Sequence, residues 1–269
     1  MKCYASHLGN CSGGPSKEHV ISRSVLALAG DVILVSGFPW QEKDKYDSVG
    51  INSLASKVLC QNHNNSLSKA DNEGRLFVQS IKSIFETFVE TNESPVDDVI
   101  INGELIELWL LKILCGIYSL KKKGEVPKEW IKILFEKEKF GKDCGFYFFG
   151  FEGNASWFFN LVKVISVRDD KNMFAGAKFG IGGLSLLLAL GKPNFENPNM
   201  KYMLRPKRIV FSKGEISKNI VLSWNSYPSS GTITMNILGT TEDPPPEYVP
   251  LVSPTWPLPV VTKKQPRKN

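Results

Sequence analysis

The chain has 269 residues, 42% of them hydrophobic and 22% charged, enough for one large domain or two small ones with proper cores. No stretch reaches the roughly 18–20 uninterrupted apolar residues of a membrane helix, and five unevenly spread cysteines argue against a secreted disulfide framework. The net charge of +6 suits a nucleic-acid partner without requiring one.

MKCYASHLGNC, at the start, has no apolar core of a signal peptide, so the expectation is a cytoplasmic protein with no membrane partner. DVILVSGF (31–38) alternates and is β-branched, and reads as a strand. INSLASKVLC (51–60) has apolar residues at a helix-like spacing. NNSLSKADNEGRLF (64–77) reads as a turn feeding a helix, with Ser66 or Ser68 as its N-cap. LFVQSIKSIFETFVE then repeats apolar positions along one helical face. A second helix is expected from Glu104 to Leu120. LWLLKILCGIYSL (108–120) within it is the most apolar run, and Lys112 interrupts it. A third covers PKEWIKILFEKEKF (127–140), with Pro127 in its first turn. From about residue 144, short aromatic and β-branched runs separated by Gly, Asn, Asp and Pro predict an antiparallel sheet or small barrel. Trp109, Trp130, Trp157 and Trp224 read as core. Arg205, Lys207 and Arg208 form a basic patch, read as a solvated strand edge or a phosphate contact. EDPPPEYVPLVSPTWPLPVV and the basic TKKQPRKN read as an extended or disordered tail.

Chemistry concentrates in the first quarter, which holds three of the five Cys (Cys3, Cys11, Cys60) and all three His (His7, His19, His63). Cys60-x-x-His63 is a two-ligand knuckle with zinc spacing. Cys3 and Cys11 complete a Cys₃His set, with His7 as an alternative to Cys3. Glu18-His19 pairs a carboxylate with an imidazole. Such a pair suits metal-assisted phosphodiester hydrolysis, in which the carboxylate holds a cation and the imidazole takes a proton from water.

SKEHVIS, followed after a linker by LCQNHNNSLSKAD, resembles the HNH (ββα-metal) endonuclease family, which has a [DE]-H-[VI]-[IV]-P segment and then an L-C-x-x-C-H-N-like segment. It is similar to bacterial HNH-like proteins whose second motif reads L-C-x-x-H-N-x-x-L-S-x-x-D, with Asp71 at the final Asp. Ser22 stands where the family has Pro, and Asn64 where many relatives have His, as in HNN variants. The resemblance implies an α+β chain. Residues 1–75 would be an HNH-like zinc-stabilised nuclease domain, 76–140 a helical segment, 141–240 a β-rich domain and 241–269 the tail. It implies a structural zinc on Cys3, Cys11, Cys60 and His63. It also implies a catalytic Mg²⁺ or Mn²⁺ on Glu18 and Asn64, with His19 as general base. Asn65 falls at the Asn that follows in the motif, and Asn52 is the candidate nearest the base-orienting position. A competing register puts His63 on the catalytic cation. DNA is the implied partner, with protein partners of an anti-phage defence system. The other reading is a zinc-stabilised nucleic-acid- or protein-binding module whose HNH-like site is inactive.

Overall fold

The computed structural model describes residues 3–42, 45–90, 98–120, 125–151, 161–181, 184–192, 203–214 and 216–236. Trp157 and the 241–269 tail lie outside them. The chain is α+β, with sheets in which antiparallel pairs predominate. Strand β1 (Pro15–His19) pairs antiparallel with β4 (Ala55–Cys60) in a two-stranded ribbon. Between them come the short helix α1 (Arg23–Leu26) and the hairpin β2 (Val32–Ser36) and β3 (Asp47–Gly50). After β4 follow α2 (Gln61–Ser66), α3 (Ser68–Glu90), β5 (Val99–Asn102), α4 (Gly103–Ser119) and α5 (Lys128–Leu134). The remaining strands are β6 (Gly145–Phe151), β7 (Leu161–Arg168), β8 (Phe174–Ile181), β9 (Leu184–Ala189), β10 (Met203–Leu204), β11 (Arg208–Lys213), β12 (Ile216–Ser223) and β13 (Thr232–Asn236).

The later strands do not close into a single sheet or barrel. They form a seven-stranded sheet in the order β10-β6-β9-β8-β7-β2-β3 and a four-stranded sheet in the order β13-β11-β12-β5. Both recruit strands from earlier in the chain through parallel pairs, β2 with β7 and β5 with β12. Among the described residues the main core therefore draws on both sheets and runs from Ala5 to Ile233, beside a small second cluster of Tyr147, Leu187 and Ala189.

Helix α4 is the centre of that core. It is buried on nearly every face, packing against α3, α5 and strands β6, β9 and β12. This explains its near-continuous apolar sequence, since a helix covered all round has no polar face to present. Asn102 caps it, accepting from Leu105 N at 3.1 Å. Helix α3 crosses α4 where Gly74 meets the Trp109 ring: a Cβ at Gly74 would stand 2.5 Å from Cε2 of Trp109.

Three local expectations change. INSLASKVLC is a 3₁₀ turn (Ile51–Leu54) followed by β4 rather than a helix. Pairing with β1 sets the backbone of a run whose apolar spacing alone is ambiguous. Ser66 closes α2 and Ser68 begins α3, while the side chain that caps is Cys60, at the start of α2, whose sulfur accepts from His63 N at 3.5 Å. Helix α5 ends at Leu134, with Pro127 at its N-cap.

The basic patch also resolves differently. Arg205 is 4% exposed and faces the core. Its Nε donates to Glu107 Oε1 at 2.8 Å, its Nη2 donates to the Cys144 carbonyl at 2.8 Å, and its guanidinium lies 3.7 Å from the centre of the Tyr227 ring. Arg205 is thus neither a solvated edge nor a phosphate contact. Burial pushes the Glu107 carboxyl up, to about 7, against the opposing pull of Arg205 and the Phe146 N–H. Arg208 is half-exposed and stands 3.7 Å from Asp98.

Candidate functional site

The β1–β4 ribbon and α2 carry chemistry at two ends. The register pairs Pro15 with Cys60 and His19 with Ala55, so the ends lie roughly 13 Å apart along a strand rising about 3.3 Å per residue.

At the first end, Cys3, Cys11, Cys60 and His63 offer ligand atoms that all lie within 4.8 Å of one another. The His63 Nδ1 stands 3.3 Å from the Cys60 sulfur, 3.4 Å from Cys3 and 3.6 Å from Cys11. Tetrahedral zinc, with Zn–S near 2.3 Å and Zn–N near 2.0–2.1 Å, separates nitrogen from sulfur by about 3.5 Å. The group is therefore close enough, and of the right donor chemistry, to hold a metal such as zinc.

The fold assembles it from three segments. Tyr4 N bonds to Val58 O at 3.0 Å and lays the N-terminal segment along β4. The Cys11–Gly14 loop clasps the start of α2 through Gln61 N to Gly14 O (2.9 Å) and Asn62 N to Ser12 O (3.3 Å). Gly13 must be glycine here: its φ is +76°, and a Cβ would stand 2.7 Å from that of Gln61. Burial opposes ionisation of Cys60, but hydrogen bonds from the backbone N–H groups of His63 and Ser12 and from the Cys11 and Cys3 side chains together lower that thiol. Burial lowers His63, which favours the neutral imidazole a metal takes. His7 is exposed and outside the group, so Cys3 takes the place for which His7 was the alternative. His63 sits with the cysteines, which is the knuckle register.

At the second end, a cleft of about 580 Å³ is lined by Glu18, His19, Ser22, Arg23, Asp31 and Asp71, among others. The β1–β4 register slips between Ser16 and Glu18, where Lys57 and Val58 of β4 together face Lys17, and bulges of this kind bend a ribbon and re-aim side chains. Beyond it Glu18 is 9% exposed and His19 is partly buried. Burial raises the Glu18 carboxyl, opposed by Lys112 and by a hydrogen bond from Asn64. Burial lowers His19, reinforced by Arg23, Lys17 and Lys112, so its imidazole is neutral at neutral pH. His19 Nε2 is buried without a hydrogen-bond partner, and so is Asn64 Oδ1. Asn64 Nδ2 donates to Ser16 Oγ at 3.1 Å. Asn64 does not line the cleft, and reaches the site through Glu18. Asn52 and Asn65 are exposed and do not line it either.

One residue here escaped the reading of the sequence. Lys112 of α4, 2% exposed, donates to Glu18 and to Asp71 Oδ2, the latter at 2.5 Å. Asp71 also accepts from Ser22 Oγ, which in turn accepts from Trp109 Nε1 at 3.2 Å. The available signal was a single lysine in the middle of the apolar run LWLLKILC, since a cation buried there needs opposite charge.

No protein family, curated protein or solved structure matches the chain. Among the described residues no helix is long and apolar enough to cross a membrane.

Proposed function

We propose that the chain is a metal-dependent endonuclease of the HNH (ββα-metal) kind that hydrolyses DNA phosphodiester bonds. One observation carries this reading. A strand–strand–helix unit bears a zinc-competent Cys₃His group at one end, and an acid–imidazole pair opening on a cleft at the other. The zinc would be structural, pinning the N-terminal segment to the strand–helix junction.

His19 is the general base. Its imidazole is neutral and lines the cleft, the form that takes a proton from water attacking phosphorus. On this reading one hard divalent cation, Mg²⁺ or Mn²⁺, would be held by Glu18 and Asn64. The Asn64 Oδ1 has no other partner, and Lys112 takes only Oε1 of Glu18. Such a cation, when bound, polarises the phosphoryl oxygen and stabilises the leaving oxygen. Glu18 is kept ready by its bonds to Lys112 and Asn64, and Arg23 on the cleft wall offers a cation to a phosphate.

The second reading, a zinc-stabilised binding module with an inactive site, draws on the Lys112 ammonium that already pairs with both Glu18 and Asp71. Purified protein incubated with supercoiled plasmid and Mg²⁺ or Mn²⁺, beside His19→Ala, separates the two. Nicking by wild type that falls at least about 100-fold in His19→Ala is the expected result. Equal nicking, or none in either metal, favours the binding module.

A further inference from the structure

Lys112 is enclosed by apolar neighbours on α4, and an ammonium is carried that deep only against opposite charge. Its two partners come from different elements, Glu18 from β1 and Asp71 from α3. Trp109 lies three residues earlier and therefore on the same helical face. From there it holds Ser22, which holds Asp71. One face of α4 thus fixes two of the three carboxylates that line the cleft, Glu18 and Asp71.

We propose that Lys112 is a positioning residue of this site: its ammonium is the resident cation of the Glu18–Asp71 pair, filling the gap a divalent ion would otherwise bridge and fixing where the Glu18 carboxylate stands. The position agrees, since Lys112 Nζ donates to both Glu18 Oε1 and Asp71 Oδ2, the atoms a bridging cation would contact. The charges agree as well. Without Lys112, two carboxylates from facing elements would stand together in a mostly buried place, the composition that draws a hard cation. With it, Oε1 of Glu18 and Oδ2 of Asp71 are occupied, and the rest of Glu18 is left to the cleft. Lys112 itself is too deep to touch a substrate.

Only the kinetic arm of the test rests on the hydrolase reading. Zinc-loaded full-length protein is titrated with Mn²⁺, and free Mn²⁺ is measured by electron paramagnetic resonance. Lys112→Met is expected to bind one more Mn²⁺ per chain than wild type. Lys112→Met/Asp71→Asn, which removes one wall of the gap, is expected to lose that added ion. In DNA cleavage, Lys112→Met loses about 10–100-fold in kcat, as when an outer-shell partner is removed. KM stays within about twofold, as for a lost interaction that the substrate does not share, and Lys112→Arg recovers part of the loss. Equal Mn²⁺ stoichiometry in folded wild type and Lys112→Met overturns the proposal. If Lys112→Met does not fold, ¹⁵N NMR of the wild-type lysines decides. A slowly exchanging Nζ signal that moves in Asp71→Asn supports the proposal, and its absence overturns it. An added Mn²⁺ in a protein that cuts no DNA supports the role of Lys112 while removing the hydrolase reading.

Discussion

Arg205→Met tests how α4 is held, and so how Lys112 and Trp109 reach the cleft. The substitution keeps most of the side-chain volume but removes the guanidinium. Glu107, 1% exposed, then loses its bonds to Nε at 2.8 Å and to Nη2 at 3.4 Å and keeps only the Phe146 N–H. The Cys144 carbonyl loses its donor, and the Tyr227 ring its stacked cation. An unpaired buried charge of this kind costs about 3–5 kcal/mol. For a unit of this size that is roughly 6–20 °C in Tm, at about 2–4 °C per kcal/mol. Burial already holds the Glu107 carboxyl at about 7 with the guanidinium present, and removing Arg205 raises it further. The folded state then binds a proton that the unfolded state, at its ordinary 4.5, does not. Stability of the variant therefore rises as pH falls from above 7 toward 4.5, so its deficit is largest above neutrality. Arg205→Met/Glu107→Gln removes the charge but keeps an acceptor for Phe146 N, and should recover at least half of the loss. Calorimetry at fixed zinc concentration and several pH values reads all of this. A single-variant loss under about 1 kcal/mol, a double variant as damaged as the single, or a deficit that grows on acidification would refute the reasoning.

Gly74→Ala gains about 1 kcal/mol of helix propensity but drives a methyl into the buried Trp109 ring, for a net loss of about 1–2 kcal/mol by urea denaturation. Cleavage should need neutral His19. The acid limb of kcat/KM then lies below the ordinary 6.5, with activity rising through it and level above. A limb above 6.5 contradicts the assignment. Cys60→Ser keeps an oxygen at the α2 cap but removes a thiolate, so elemental analysis should fall from roughly one zinc per chain to near none while the other three ligand residues remain.

What could be read from the chain followed the range of the interaction. Cys60 and His63 are one helical turn apart, and their pairing is visible in four letters. Cys3 and Cys11 were legible as chemistry, although hydrogen bonds to Val58, Gln61 and Asn62 bring them there. Glu18 and His19 are adjacent, and both do line the cleft. Asn64 reaches it only through Glu18. Helices α3 and α4 were plain from their apolar spacing. INSLASKVLC was not, because a strand partner forty residues earlier sets its backbone. Strand β5 was missed because VIIN is too short to signal by itself and pairs with β12, more than a hundred residues on. Arg205 and Lys112 were opaque for the same reason. A sequence shows a cation, whereas its counter-charge lies in another element.

Zinc content and DNA cleavage measured on the same preparations test the central claim most directly. Wild type and His19→Ala should each carry roughly one zinc per chain, and only wild type should nick supercoiled DNA with Mg²⁺ or Mn²⁺. Zinc absent from well-folded protein, or equal cleavage by the two, would contradict the division of the ribbon into a structural end and a hydrolytic end.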